Sequence, residues 1–188
     1  SHEHFPEALQ RAIDEQRAEI DAIVGNPAQP TFANTLEALE RSGRARDRVE
    51  RLFAVARENV STGEIQAIER EWQPKLSAAT DAIYFNAALF ARIEAIFDAL
   101  DDPQLADDQR RLTRRVHERF VRRGARLSLV EKTQLSAINE ELAALFAEFR
   151  QKVMADEDTW TVLERPADLA GLPASIADAA GVAAAGRG

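Results

Sequence analysis

The 188-residue chain carries a net charge of −8 and consists of 45% hydrophobic and 30% charged residues. This composition favours a globular chain over a disordered one, and its acidic balance argues against a general nucleic-acid binder. The chain has no cysteine, which excludes a disulfide framework and leads us to expect a cytoplasmic protein. Neither a signal peptide nor a run of ~18 apolar residues is present, so we expect no membrane partner.

Hydrophobic residues recur at helical spacing through most of the chain, and proline, glycine and asparagine divide this pattern into segments. The first predicted helix begins at Pro6, a residue that suits the first helical turn, and ends at Gly25. Thr31 is the predicted N-cap of a second helix, whose apolar stripe continues to Val60. We expect Gly43 to break or bend that helix, because an internal glycine costs about 1 kcal/mol.

Capping and breaking residues mark three further helices. Ser61–Glu64 has the spacing of a capping box and predicts a third helix, in which Pro74 is expected to produce a kink. Asn86 is the predicted start of a fourth helix, which ends at Asp101–Pro103. The fifth helix is predicted to open there and to end at Gly124.

The sixth predicted helix is the longest. It begins at a capping box, Ser128–Glu131, and extends to about Ala155, a span of roughly 40 Å. Five of its apolar residues are separated by alternating steps of three and four, which is the spacing of a short coiled-coil seam that packs near +20° against a partner. These residues are Leu135, Ile138, Leu142, Leu145 and Phe149.

The pattern changes after the sixth helix. Thr159–Leu163 is β-branched and aromatic, so it predicts one short strand near Trp160, which would need a sheet partner. The tail that follows is rich in alanine and has little to pack against. We therefore predict an all-α fold, a bundle of about six or seven mostly antiparallel helices in residues 1–158, followed by a strand, a turn and an Ala-rich segment in residues 159–188.

A metal site is suggested by one dipeptide and excluded by its surroundings. His117 and Glu118 begin like the zinc-binding helix H-E-x-x-H, but Val121 occupies the position of the second histidine. A catalytic zinc needs about three protein ligands, and the other histidines, His2 and His4, lie at the N-terminus. We therefore predict that this chain contains no catalytic residue, no metal ligand and no cofactor.

Eight arginines cluster in residues 110–126, where only Glu118 opposes them, so this segment carries +7 and the rest of the chain −15. Three interpretations remain open: a solvated face paired with neighbouring acids, a surface that docks an acidic partner or lines a channel, and a polyanion site. Nucleic acid is the least favoured ligand, because aromatic residues do not alternate with the arginines. By i+3 and i+4 spacing, the predicted face consists of Arg111, Arg115, Arg119, Arg122 and Arg126.

A series of short motifs runs along the chain. It includes Pro30-Thr31-Phe32-Ala33-Asn34-Thr35, Leu39 to Gly43, Pro74 to Ser77, Asp81 to Asn86, Arg92-Ile93, Arg123 to Ala125 and Gly171-Leu172-Pro173. Taken in order, from about Phe5 to Gly188, the series resembles the thimet oligopeptidase–neurolysin family of zinc metallopeptidases, and its bacterial peptidyl-dipeptidase branch in particular. Within the first motif, we expect Pro30, Thr31, Phe32, Asn34 and Thr35 to have structural roles.

The resemblance implies that the chain is the N-terminal helical region of a much longer enzyme. In this family, such helices form one wall of a deep channel, which admits short unstructured peptides and excludes folded proteins. The zinc, its ligands and the catalytic residues would belong to a covalently continuous catalytic domain of the parent protein. The resemblance therefore implies that this chain alone is an inactive part of a zinc-dependent peptidyl-dipeptidase.

A second hypothesis is a stand-alone helical interaction module. Its arginine-rich face or its coiled-coil seam would bind an acidic partner or a polyanion. Two observations separate the hypotheses: whether the open reading frame continues to an H-E-x-x-H several hundred residues further on, and whether the chain binds DNA, RNA or heparin in a salt-sensitive manner.

Overall fold

The computed structural model of the protein describes residues 2–60, 62–101, 105–157, 162–163 and 165–186, apart from the side chains of residues 157 and 166. The described residues form helices and no strand, which confirms the predicted all-α class. The helices are α1 (Phe5–Val24), a π-helical segment (Phe32–Glu37) that continues into α2 (Ala38–Arg41), α3 (Arg44–Asn59), α4 (Gly63–Tyr84), α5 (Ala87–Asp98), α6 (Asp107–Arg122), α7 (Leu129–Glu157) and α8 (Ala174–Ala185).

Side-chain caps and one glycine set several of these boundaries. The hydroxyl of Thr31 accepts the backbone N–H of Asn34 at 3.1 Å, and the side-chain oxygen of Asn86 accepts that of Leu89 at 2.9 Å. Gly43 adopts a left-handed backbone conformation (φ 75°) between α2 and α3. The predicted break at Gly43 is therefore confirmed, because this conformation is unfavourable for any residue with a Cβ and cannot continue a helix.

The third predicted helix, α4, is capped by Thr62. Its hydroxyl faces the backbone N–H of Ile65 at 3.5 Å, and Ser61 lies outside the described residues. The helix continues through Pro74 without interruption from its first residue to its last.

The predicted start of the fifth helix is wrong. Residues 102–103 lie outside the described residues. The helix was expected to start at Asp101–Pro103, but α6 begins at Asp107. The reason is local: Ala106 is extended, and its backbone N–H donates to the side-chain oxygen of Gln109 at 3.0 Å. That bond satisfies a backbone donor at the helix entry.

Two hydrophobic clusters form the core of the first 151 residues, and α1 contributes to both. The first comprises Ile20, Ile23, Leu36, Leu89, Phe90, Ile93, Ile96, Val116, Phe120 and Ala125. The second comprises Leu9, Ile13, Phe53, Ile65, Trp72 and Leu76. The first half of α1 thus packs on α3 and α4, and its second half packs on α5.

Neighbouring helices run antiparallel, as their residue pairs show. Phe5, at the start of α1, contacts the ring of Phe53 near the end of α3 in a tilted arrangement, whereas Gln16 of α1 accepts a hydrogen bond from Arg46 near the start of α3. The same order reversal holds for the next pairs. For α3 and α4 the contacts are Arg46 with Leu76 and Arg57 with Glu69; for α5 and α6 they are Phe90 with Phe120 and Arg110 with Leu100.

The seam predicted on the sixth helix, α7, does not pack against a helix among the described residues. Four of its five residues, Ile138, Leu142, Leu145 and Phe149, are exposed. Within the described residues the seam is therefore not covered by a helix, and its packing against a partner stays a prediction. The physical reason is that α7 is held by polar contacts on another face, where Ala147 is 1% exposed.

The last residues form a second compact unit, Lys152–Gly188, separate from Ser1–Gln151. The strand predicted near Trp160 falls largely outside the described residues, and Val162 and Leu163, which are described, adopt neither helix nor strand. The predicted division into residues 1–158 and 159–188 stays a prediction. Within the described part of the chain, none of the helices has the length and apolar content to cross a membrane.

Candidate functional site

Helix α6 presents a basic face to solvent. Val116 and Phe120 on one side of the helix are buried in the first core cluster, and Thr113 beside them is buried as well. The predicted arginines project from the other side. Arg111, Arg115, Arg119 and Arg122 are all exposed.

Acidic partners are scarce around these four arginines, which we call the α6 arginine face. Within the residues that the structure describes, none of the four makes an ion pair or a side-chain hydrogen bond. Arg110, by contrast, pairs with Asp107 at 2.9 Å and donates to the Leu100 carbonyl at 3.1 Å. Among these described residues no direct ion pair neutralises the four charges, although Arg119 lines a pocket that also contains three acidic side chains.

The fifth predicted member, Arg126, does not lie on this helix face. Helix α6 ends at Arg122, and Gly124 follows with a left-handed backbone (φ 97°). That turn directs Arg126 towards α5, where it pairs with Glu94 at 2.9 Å and lies 5.9 Å from the ring centre of Phe90. The predicted five-arginine face is corrected to four residues, because helical spacing does not continue past Gly124.

The first motif of the sequence forms a hydrogen-bonded cap. Thr31 and Asn34 form two reciprocal hydrogen bonds. The Thr31 hydroxyl accepts the backbone N–H of Asn34 at 3.1 Å, and the Asn34 side-chain oxygen accepts the backbone N–H of Thr31 at 2.8 Å. Asn34 also donates to the Gln29 carbonyl at 2.8 Å. Pro30 and Phe32 are half-buried beside it, and Phe32 packs against the first core cluster.

Arg92 of α5 holds this cap, a role that the sequence did not indicate. Its guanidinium donates to the Asn26 carbonyl at 3.0 Å, to the Asn34 side chain at 3.1 Å and to the hydroxyl of the buried Thr35 at 3.3 Å. The loop after α1 is thus attached to α5 by one side chain. Its partners, which also include the Ala28 carbonyl at 3.3 Å, are backbone carbonyls of the loop or side chains of the first helical turn that follows, so this arrangement is suited to a structural role.

Replacing Arg92 with alanine should lower the free energy of unfolding by about 1.5–3 kcal/mol, the range for hydrogen bonds to charged groups. Arg126→Ala is the matched control. Arg126 forms an exposed ion pair with Glu94, which lies on the same helix as Arg92, and this pair should contribute about 0–1 kcal/mol. Urea unfolding followed by circular dichroism measures both. Equal losses for the two variants would contradict the role of Arg92 as the clamp of the loop.

His117 lies in an aromatic stack rather than on an exposed flank. Its ring centre is 3.8 Å from that of Phe97 and 5.5 Å from that of Phe90, and the side chain is buried. Its Nε2 has no hydrogen-bond partner among the described residues. Burial, followed by the charge of Arg126, holds the pKa of His117 below the ordinary value of 6.5, while nearby carboxylates oppose the shift.

This depressed pKa of His117 predicts a dependence of stability on pH. Well above pH 6.5 the histidine is neutral in both the folded and the unfolded chain, so its titration has no effect on stability. As the pH falls below that value, the unfolded chain binds the proton first, and unfolding becomes easier by up to about 1.4 kcal/mol per pH unit until the folded pKa is reached.

Urea unfolding at pH 7.5 and 5.5 measures the effect, and His117→Phe provides the control, because it keeps an aromatic ring and removes the titrating group. The wild-type protein should lose stability between these pH values by more than the variant does. Parallel losses would show that other groups cause the pH dependence.

The described residues do not fit a zinc site. They contain no group of three histidine, cysteine, aspartate or glutamate side chains placed to hold a metal ion. His117 is enclosed by two phenylalanine rings, and His2 and His4 lie together in the short helical turn that precedes α1.

Comparison with known proteins relates this helical chain to bacterial peptidases. It is 37% identical over 152 residues to the dipeptidyl carboxypeptidase of Salmonella typhimurium, an alignment that covers 81% of this chain and 22% of that protein. It is 34% identical over 170 residues to the Escherichia coli dipeptidyl carboxypeptidase, covering 90% of this chain and 25% of that protein. The resemblance to bacterial peptidyl-dipeptidases is thereby confirmed. No protein-family model matches the chain.

Proposed function

We propose that this chain is a non-catalytic helical part of a longer zinc-dependent peptidyl-dipeptidase. The observation that carries the proposal is the similarity of most of this chain to two dipeptidyl carboxypeptidases. The chain spans only about a quarter of the length of these relatives. The described residues contain neither a metal-ligand cluster nor a complete H-E-x-x-H. A cytoplasmic location stays a prediction.

In the parent enzyme, these helices would form one wall of the substrate channel and restrict access to short peptides. Such a wall must resist deformation, since a folded protein is excluded only by a barrier that does not yield. The two core clusters, joined through α1, and the Arg92 clamp on the loop after α1 supply that rigidity. The zinc implied by the resemblance would be held by polypeptide outside this chain, together with the catalytic residues.

An activity assay on the full-length gene product and on this chain tests the proposal. Short peptides blocked at the N-terminus are the substrates, and mass spectrometry detects any C-terminal dipeptide that is released. The full-length protein should release dipeptides and lose this activity on treatment with a zinc chelator, whereas this chain should be inactive in both conditions. Dipeptide release by the purified chain, or its absence with the full-length protein, would refute the proposal.

The α6 arginine face supports a second candidate function, the binding of an acidic partner or polyanion. Four exposed arginines without ion-pair partners among the described residues form a compact positive surface on an otherwise acidic chain. Arginine binds carboxylates and phosphates through a planar set of donors. In the parent enzyme, the same face would meet an acidic surface or the channel.

Heparin binding at graded salt concentrations tests this second function. Changing Arg111, Arg115 and Arg122 to glutamine should reduce the affinity and flatten its salt dependence, because about three cationic contacts are lost. The control replaces three exposed arginines of α3 that follow similar helical spacing: Arg44, Arg48 and Arg51. Equal effects of the two sets would indicate attraction by overall charge, not by the α6 arginine face.

A further inference from the structure

Helix α7 carries an exposed apolar stripe along one side. Phe146 and Phe149 are 67% and 65% exposed, although large aromatic side chains are normally covered. We define the α7 stripe as five exposed residues: Ile138, Leu142, Leu145, Phe146 and Phe149. These residues are separated by helical steps, so they lie on one face and span roughly 16 Å along the axis.

Polar contacts on another side of α7 hold the stripe outwards. Asn139 donates to both carboxylate oxygens of the buried Asp81 at 3.0 Å, and Lys132 donates to the Phe85 carbonyl at 3.2 Å. Further along, Arg150 pairs with the carboxylate of buried Glu69 at 3.2 Å. Rotating the helix to bury the stripe would break these bonds and leave the Asp81 carboxylate buried without its donor from Asn139, which is costly.

The spacing of the stripe matches a helical partner. Ile138, Leu142, Leu145 and Phe149 follow one another at steps of four, three and four, the arrangement that receives the side chains of a second helix at about +20°. A contiguous apolar patch of this kind commonly marks an interaction site. Glu141 borders the stripe on one side, so the partner helix should carry a basic residue along that border.

We propose that the α7 stripe is the docking face for an apolar helix of the same polypeptide, in the part of the longer protein that lies outside this chain. The inference rests on the proposed function, since the two relatives are about four times as long as their aligned regions. A covalently linked helix is present at high effective concentration, so it covers the stripe without a strong intrinsic affinity. The stripe thus fixes this helical part on the remainder of the enzyme.

Thiol labelling of the full-length protein tests the docking face. Phe146→Cys places a reporter on the stripe, and Leu129→Cys is the matched control on the same helix, because Leu129 is 84% exposed and lies off the stripe. In the folded full-length protein, the reporter at 146 should react at least tenfold more slowly than that at 129. In urea the two rates should become equal, which shows that the protection comes from structure.

A second pair of variants checks the energetic role of the stripe. Leu142→Asp with Phe146→Asp should lower the melting temperature of the full-length protein, whereas Leu129→Asp with Val130→Asp on the same helix should leave it within the error of the measurement. Both control residues are exposed in the structure.

Equal labelling rates at positions 146 and 129 in the folded full-length protein would overturn the proposal. Protection that disappears on dilution would also overturn it, because it would identify a second copy of the protein as the occupant. An active peptidyl-dipeptidase with an unprotected stripe would refute the docking face alone. A protected stripe in a full-length protein without peptidase activity would refute the proposed function alone.

Discussion

Replacing Glu69 with alanine is expected to lower the free energy of unfolding by about 3–5 kcal/mol, the cost of breaking a buried ion pair. The Glu69 side chain is 3% exposed and pairs with Arg57 at 2.8 Å and Arg150 at 3.2 Å. Its removal would leave the Arg57 guanidinium buried without a counter-charge, and the Nε of Arg57 already has no partner among the described residues. Urea unfolding followed by circular dichroism provides the measurement.

Glu71→Ala is a close control for this variant, because Glu71 lies on the same helix and also forms an ion pair. Its partner Lys75 is at 2.6 Å, but both side chains are about half exposed, so the expected loss is about 0–1 kcal/mol. The double variant Arg57→Met with Glu69→Leu should recover most of the stability, since apolar residues of similar size replace buried pairs at little cost. Equal losses at positions 69 and 71 would contradict the importance of burial.

Helix starts were predictable where a local hydrogen bond sets them. The caps at Thr31 and Asn86 use a side-chain oxygen and a backbone N–H three residues later, so the sequence contains both partners side by side. The break at Gly43 is equally local, because it depends on one residue's backbone freedom. The start of α6 lacks the usual sequence signal because Ala106 has no side-chain oxygen to cap the helix, although Gln109 occupies the capping-box position.

Long-range polar contacts were not predictable from the same patterns. Asp81 and Asn139 are 58 residues apart in sequence, and each resembles an ordinary surface residue until the fold brings them together. This contact orients α7 and thereby decides in which direction its apolar seam faces. The sequence therefore indicated the seam, but not that the seam faces solvent. The α6 arginine face could be predicted because it depends only on spacing within one helix. The clamp formed by Arg92 could not, because its partners are about 60 residues away in sequence.

The burial of Phe53 makes it the most sensitive position that we identify on α3. Its ring is 1% exposed, lies 5.1 Å from the ring centre of Phe5, and joins the cluster that includes Leu9 and Trp72. Phe53→Ala removes a ring at the point where α1, α3 and α4 meet and leaves a cavity that these helices cannot fill by local movement. The expected loss in the free energy of unfolding is about 3–5 kcal/mol.

The preceding residue supplies the control, since Leu52 occupies the same helix and is 59% exposed. Leu52→Ala should change the free energy of unfolding by no more than about 0.5 kcal/mol, because little apolar surface is returned to water. Phe53→Leu should fall between the two variants, as it fills part of the cavity. If alanine at 52 and at 53 were equally costly, the second core cluster would not be packed around Phe53, and the wall that we propose would lack half of its rigid core.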